Sequence, residues 1–362
     1  MIYKIYFCFK TFRLYLGINP IRMKKIFLSL LFLSVSVFAQ NGKFKSKVII
    51  ETKMSCRAIY VDDEKVWMGM DKGRYGFYDK KKDTTILKEI QSVVRTTEFR
   101  SIAGTKEAVF ILAVGNPAML IRIDKNTLQE NIVYKEEHEK VFYDSMQFVD
   151  ELNGFAMGDP IENCLSFIKT NDGGKTWQKV NCDVLPKVIE GEAAFAASNT
   201  NLIIKGKSIF MVSGGKQSRV FVSKDFGTTW NVYPTPIVQG ATMTGIFTAD
   251  FYNEKIGIIS GGDYEKQDQN WANKAITKNG GKTWKVIAEK EAFGYASCVQ
   301  FVPNSKGKQL ISVGGTGMFY SSDFGKNWIK FSDDKDYFTF RFESENVFYA
   351  TGKNKLVRFE IE

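Results

Sequence analysis

The chain has 362 residues, a formal net charge of +10, 44% hydrophobic and 14% aromatic residues, five cysteines and one histidine. A lone His138, in the charged stretch KEEHEK, excludes a histidine-rich metal centre and leaves a Ser-His-Asp triad no other base to use. No CxxC pair suggests structural zinc, and no GxGxxG follows a strand to open a helix, so neither metal nor cofactor is expected.

The chain opens with a targeting pattern. Met23, Lys24 and Lys25 precede an apolar run over residues 26–38, which ends in Ala39 and Gln40. A basic start, a short apolar core and a small residue before the break describe a secretory signal peptide. The core spans 13 residues, too short to cross a bilayer as a helix. The reading is residues 1–22 as an overlong start, 23–39 as signal peptide, and 40–362 as one mature domain, periplasmic or secreted, with no membrane span. Residues 1–39 carry six basic residues and no acidic one, so cleavage lowers the net charge from +10 to +4. That balance does not mark a nucleic-acid binder.

Beyond residue 40 short apolar runs alternate with Gly, Asn, Asp and Lys clusters, and helical periodicity is missing, which reads as all-β. A first apolar segment, 47–51, stands alone. Seven sets of strands follow, with first strands CRAIYV (56–61), FRSIAG (99–104), DSMQFV (144–149), EAAFAA (192–197), GIFTAD (245–250), YASCVQFV (295–302) and FTFRFE (338–343). Each first strand is followed by a second one that ends in or beside Gly, from VWMGM (66–70) to VFYATG (347–352), and by a third, from YGFYD (75–79) to KLVRFEIE (355–362).

Four third strands run into one motif: TNDGGKTW (170–177), SKDFGTTW (223–230), TKNGGKTW (277–284) and SSDFGKNW (321–328). The Trp-to-Trp steps are 53, 54 and 44 residues, a period that signals propeller blades. The Asp side chain accepts from nearby backbone N–H groups and folds a tight turn. The Gly permits backbone angles that a side chain forbids. Thr and Trp then start the next strand. Asp172, Asp225, Asn279 and Asp323 are therefore read as turn formers, and Trp177, Trp230, Trp284 and Trp328 as anchors over the hairpins. The expected fold is a seven-bladed β-propeller with its ring closed by the N-terminal strand, which hides sheet edges. Cys164 and Cys182 flank the first motif and either bridge across it or remain two buried thiols; an exported protein permits the bridge.

The motif resembles the Asp-box, S/T-x-D-x-G-x-T-W, of BNR-type repeats. With GFAMGDP, EGEAAFAASNT, GGKQSRV and GGDY between residues 142 and 284, the chain looks like exported bacterial Asp-box propellers, related to the photosystem II assembly and stability factor propellers and distantly to sialidases. That resemblance implies boxes on the outer rim and a ligand site in the central funnel. Sialidases of this kind use an arginine trio, for which Arg57, Arg100 and Arg219 are the available residues, but no Tyr–Glu nucleophile pair can be assigned.

Polar residues at first-strand starts and at the turns after second strands are the ligand-binding candidates: Arg57, Arg100, Asp144, Asp159, Glu192, Lys216, Arg219 and Asp263. They are expected to converge on one face. The functional reading is a monomeric protein- or glycan-binding and assembly module. The alternative is a sialidase-like glycoside hydrolase, which would need two carboxylates flanking a pocket.

Overall fold

Apolar residues run almost unbroken through the second strand of each set because both faces of that strand are covered. In the strand Ala108–Ala113 every residue is buried. Val109 and Ile111 pack with Trp67 and Phe77 of the preceding sheet, while Phe110 and Leu112 pack with Ile168 and Trp177 of the following one. Successive side chains leave a strand on opposite faces, so one strand serves two cores. The same layering recurs through Phe167 and Ile209, then Phe210 and Ala275, then Ile258 and Leu310.

The computed structural model describes residues 44–362, of which Ser46–Ile361 form one compact unit. The expected start (1–22) and signal peptide (23–39) lie outside the described residues. The fold is an all-β propeller whose strands fall into six hydrogen-bonded sheets. The first strands of neighbouring sheets touch each other around the middle of the ring, as Phe99–Gly104 touches Tyr143–Phe148 and Thr244–Phe251 touches Ala296–Phe301.

Six blades correct the expected seven. The first and last predicted sets are not separate sheets. Tyr337–Phe342 and Val347–Ile361 join Phe44–Val61, Lys65–Met70, Arg74–Asp79 and Thr84–Glu89 in one six-stranded sheet. The reason lies in Phe44–Val61, an 18-residue strand. Its later part, Cys56 to Val61, pairs with Lys65–Met70, and the strand also adjoins Val347–Ile361. The lone segment 47–51 and the first strand of the first set are therefore one continuous strand, and it fuses the two sets. Within Val347–Ile361 the chain turns at Asn354, which has φ +64°, and the Ile361 N–H returns to the Asn346 carbonyl at 2.8 Å.

The four motifs form turns between the last two strands of their sheets. In the first, Asp172 accepts from Thr170 Oγ1 (2.8 Å), Thr176 N (3.0 Å) and Thr176 Oγ1 (2.7 Å). Asp225, Asn279 and Asp323 each accept from the hydroxyl two residues before and from the backbone N–H four residues on. Each turn also presses against the preceding sheet. Gly174 has φ +77°, and a Cβ there would lie 2.3 Å from the Phe110 ring. Trp177 meets Phe110 and Phe148 edge-on, and Trp230 stands at 90° on Phe167. Trp284 and Trp328 pack likewise into the next two inter-sheet cores. Burying one such aromatic contributes about 1.5–3 kcal/mol.

Cys164 and Cys182 form a disulfide with Cα atoms 5.7 Å apart, while Cys56 and Cys298 are free and buried. The bridge closes a loop of 18 residues and ties the turn Cys182–Val184 to the third sheet. A loop of that size corresponds to about 3 kcal/mol.

Candidate functional site

First strands of five sheets share one defect, a β-bulge near the start. In the sheet that contains Phe44–Val61 it occurs twice. Pairing skips Arg57 between Cys56 and Ala58, Arg100 between Phe99 and Ser101, and Asp144 between Tyr143 and Ser145. It also skips Phe247, Ser297 and Phe338. A bulge leaves one residue unpaired and re-aims its side chain. Here the unpaired residues gather at one end of the central channel. The Arg57 guanidinium stacks on Phe338 at 4.0 Å, and Ser297 Oγ donates to the Phe338 carbonyl at 2.8 Å. Phe247 stacks on Phe195 at 3.9 Å and meets Tyr295 edge-on at 4.9 Å, while Tyr264 leans against both Phe247 and Tyr295.

The fourth sheet has no such bulge because its expected first strand, EAAFAA, is broken. Glu192–Ala193 pairs instead with Gly214–Gly215 at the edge of the fifth sheet, and regular pairing in the fourth sheet resumes at Leu202. The intervening residues 194–201 cross the channel as a plug. Asn199, at φ +59°, accepts from Met146 N and donates to the Ile102 carbonyl. Ser198 Oγ donates to the Ser297 carbonyl, and Thr200 Oγ1 donates to Thr248 Oγ1 at 2.8 Å. Arg341 holds the carbonyls of Ser198 and Asn199, each at 2.9 Å, and Arg57 reaches the Ala197 carbonyl at 3.3 Å. Six first strands thus grip one segment, which fixes the floor of the site.

Burial sets the electrostatics. Asp144 is fully buried, neither carboxylate oxygen has a partner among the described residues, and burial pushes its pKa well above the ordinary value. Nearby Asp159 pushes it further and Arg100 opposes. Asp159 is itself pushed up to about 6 by burial, against a 2.8 Å hydrogen bond from Ala194 N. Arg57 is held below the usual arginine value by burial; Tyr295 opposes this and Arg100 reinforces it. Arg100 pairs with Glu98 at 2.6 Å, whereas Arg57 has no ion pair among the described residues. The ring therefore combines a guanidinium with no ion pair among the described residues, a second one shared with a carboxylate, two carboxyl groups disfavoured as anions, and a wall of aromatic rings.

Of the predicted residues, Arg57, Arg100, Asp144 and Asp159 form this linked group. Glu192 and Arg219 form a separate buried pair, with Arg219 Nε and Nη2 at 2.9 and 2.5 Å from the two Glu192 oxygens and Ser213 Oγ at 2.6 Å. That pair anchors the plug's start, and it removes Arg219 from any trio with Arg57 and Arg100. Lys216 binds the Gly191 carbonyl through its backbone N–H, and Asp263 caps its own turn by accepting from Glu265 N and Lys266 N. Phe195, Phe247, Tyr264, Tyr295 and Phe338 escape a search for polar residues alone. The signal that finds Phe247 and Phe338 is register, since they stand where Arg57 and Arg100 stand in their own strands.

No family model matches the chain, and no curated protein matches it by sequence. Solved structures do. A structure of YCF48 bound to D1 peptide is 12% identical and aligns over 88% of this chain and 97% of its own, with a TM-score of 0.64. YCF48 from Cyanidioschyzon merolae is 11% identical over 88% and 99%, at 0.64. U3-55K is 10% identical over 88% and 99%, at 0.65. At such identities the likeness establishes the fold, a β-propeller.

Proposed function

We propose that this protein is an exported protein-binding module that takes an extended polypeptide segment at the bulged end of its channel. The observation that carries the reading is Arg57, a largely buried guanidinium without an ion pair among the described residues, stacked on Phe338 and bordered by Tyr295 and Tyr264. Such a group binds a carboxylate or a row of backbone carbonyls, and aromatic rings supply contact area at low entropic cost. A propeller bound to a peptide among its structural neighbours supports the same reading. Glycan cleavage gains no support here, because Asp144 is sealed from solvent and Glu192 is engaged by Arg219 and Ser213.

The export half rests on residues 23–40 and on the disulfide Cys164–Cys182, which suits an oxidising compartment. Mass spectrometry of envelope and culture fractions should find a mature chain beginning at Gln40. A full-length chain confined to the reducing cytoplasm would refute export. For the binding half, a library of extended peptides is screened against the protein and against Arg57→Ala. Selected peptides should lose about tenfold or more in affinity on this substitution, as for a charge-assisted contact, with an unchanged circular dichroism spectrum. Equal binding by both proteins, or binding to a glycan array in place of any peptide, sinks the reading.

A further inference from the structure

The channel has a second mouth. On the side of the plug away from Arg57 lies a cavity of about 280 Å³. It is lined by the later residues of the first strands, among them Tyr60, Gln147, Lys205, Asp250, Gln300 and Arg341, with Asn199 at its floor. Tyr60, Lys205, Gln300 and Arg341 keep partial exposure, so solvent reaches it.

Its chemistry is lopsided. Arg341 donates to Thr339 Oγ1 and to the carbonyls of Phe340, Ser198 and Asn199 at 2.7–2.9 Å, which fixes the guanidinium while giving it no carboxylate among the described residues. Lys205 Nζ lies 3.8 Å from Asp250 Oδ1, a loose pair. The two Asp250 oxygens already accept from Phe251 N and Phe301 N, each at 2.8 Å. Two cations therefore face one carboxylate that is largely committed to backbone. Gln147 uses its Oε1 to accept from Ile204 N, and among the described residues its amide N–H groups donate to nothing and Gln300 makes no side-chain hydrogen bond. Donors and positive charge converge on a space with too few acceptors, and an anion offsets that imbalance.

We propose that this cavity is a binding site for a small organic acid, of the size of a dicarboxylate, with Lys205 pairing with a carboxylate, the fixed Arg341 guanidinium adding positive charge beside it, and the Gln147 and Gln300 amides donating to its oxygens. The site lies at the opposite end of the channel from the peptide site and does not depend on it.

The test is thermal melting of the purified protein titrated with succinate and with 2-oxoglutarate at constant ionic strength, with sodium sulfate and glucose as comparators. At least one acid should raise the melting temperature saturably. Lys205→Met should abolish the shift, and Gln300→Leu should weaken apparent affinity about fivefold, the worth of one hydrogen bond. Lys81→Met, which removes one charge from an exposed loop, should leave it intact. Gln300→Leu breaks no side-chain hydrogen bond among the described residues, so it decides the matter if Lys205→Met folds poorly. No saturable shift with either acid, an equal shift with sulfate, a response to glucose alone, or unchanged affinity in Gln300→Leu overturns the proposal.

Discussion

Aspartates on the outer turns and at the channel mouth meet opposite fates. On the outer turns Asp225 accepts from Ser223 Oγ, Thr229 N and Thr229 Oγ1, and these bonds, led by the Thr229 hydroxyl, hold its pKa down to about 2. For Asp172 burial is the largest single influence and raises its pKa, but its bonds from Thr176, Thr170 and Lys175 together outweigh that and leave it at about 2 as well. At the channel mouth Asp144 accepts nothing among the described residues, and burial drives its pKa the other way. The turns are built so that a carboxylate stays charged and completes a hairpin. The ring at the mouth holds carboxyl groups away from their charged form, and perturbed groups of that kind gather where ligands bind.

The contrast is sharpest in Trp177, the buried aromatic of an outer turn. Trp177→Ala should cost about 3–5 kcal/mol in chemical denaturation, as deletion of a large core aromatic does. Peptide affinity of the folded fraction should be unchanged. Lost affinity at unchanged stability would show that the turn is itself a site and would erase the distinction between the two regions.

A smaller effect is expected from Asp144→Asn, read against pH. A carboxyl whose folded pKa lies above its unfolded value contributes stability below the ordinary 3.8, and that contribution is lost as pH rises through the folded value. Asp159, at about 6, adds to the same trend. Asp144→Asn should therefore flatten the decline in stability between mildly acid and neutral pH and gain on the order of 1–3 kcal/mol at the neutral end. A steeper decline in the variant would mean that Asp144 is stabilised as an anion.

The smallest effect belongs to Asp225→Asn. Its folded pKa is depressed, so the wild-type contribution is present above the ordinary value and fades as pH falls toward about 2. Melting curves of variant and wild type should differ at neutral pH and converge in acid. Curves that diverge in acid would place Asp225 with Asp144 and undo the comparison.

Much of the outer half of each sheet was legible in the residues. The turn motif names its Asp, its Gly and its Trp, and local hydrogen bonds from Thr170 or Ser223 to the residue two positions on need nothing from elsewhere in the chain. The mouth was legible only in part. Arg57, Arg100 and Asp144 stand out as polar residues at strand starts, but Phe247 and Phe338 look like ordinary strand residues until register places them in the same ring. The pairing of Glu192 with Arg219 spans 27 residues and follows no short-range rule.

By itself the sequence determined the all-β class, the repeat and the turn chemistry, because these show in local patterns and in the recurrence of one short motif. The tertiary structure decided the rest. The continuous strand Phe44–Val61 merged two expected sets and left six sheets instead of seven, since strand pairing depends on where a chain runs and not on how many apolar segments it holds. The break in EAAFAA turned a predicted first strand into a plug. Within it Ser198, Asn199 and Thr200 hydrogen-bond to Ile102, Met146, Thr248, Ser297 and Arg341, partners that only closure of the ring brings within reach.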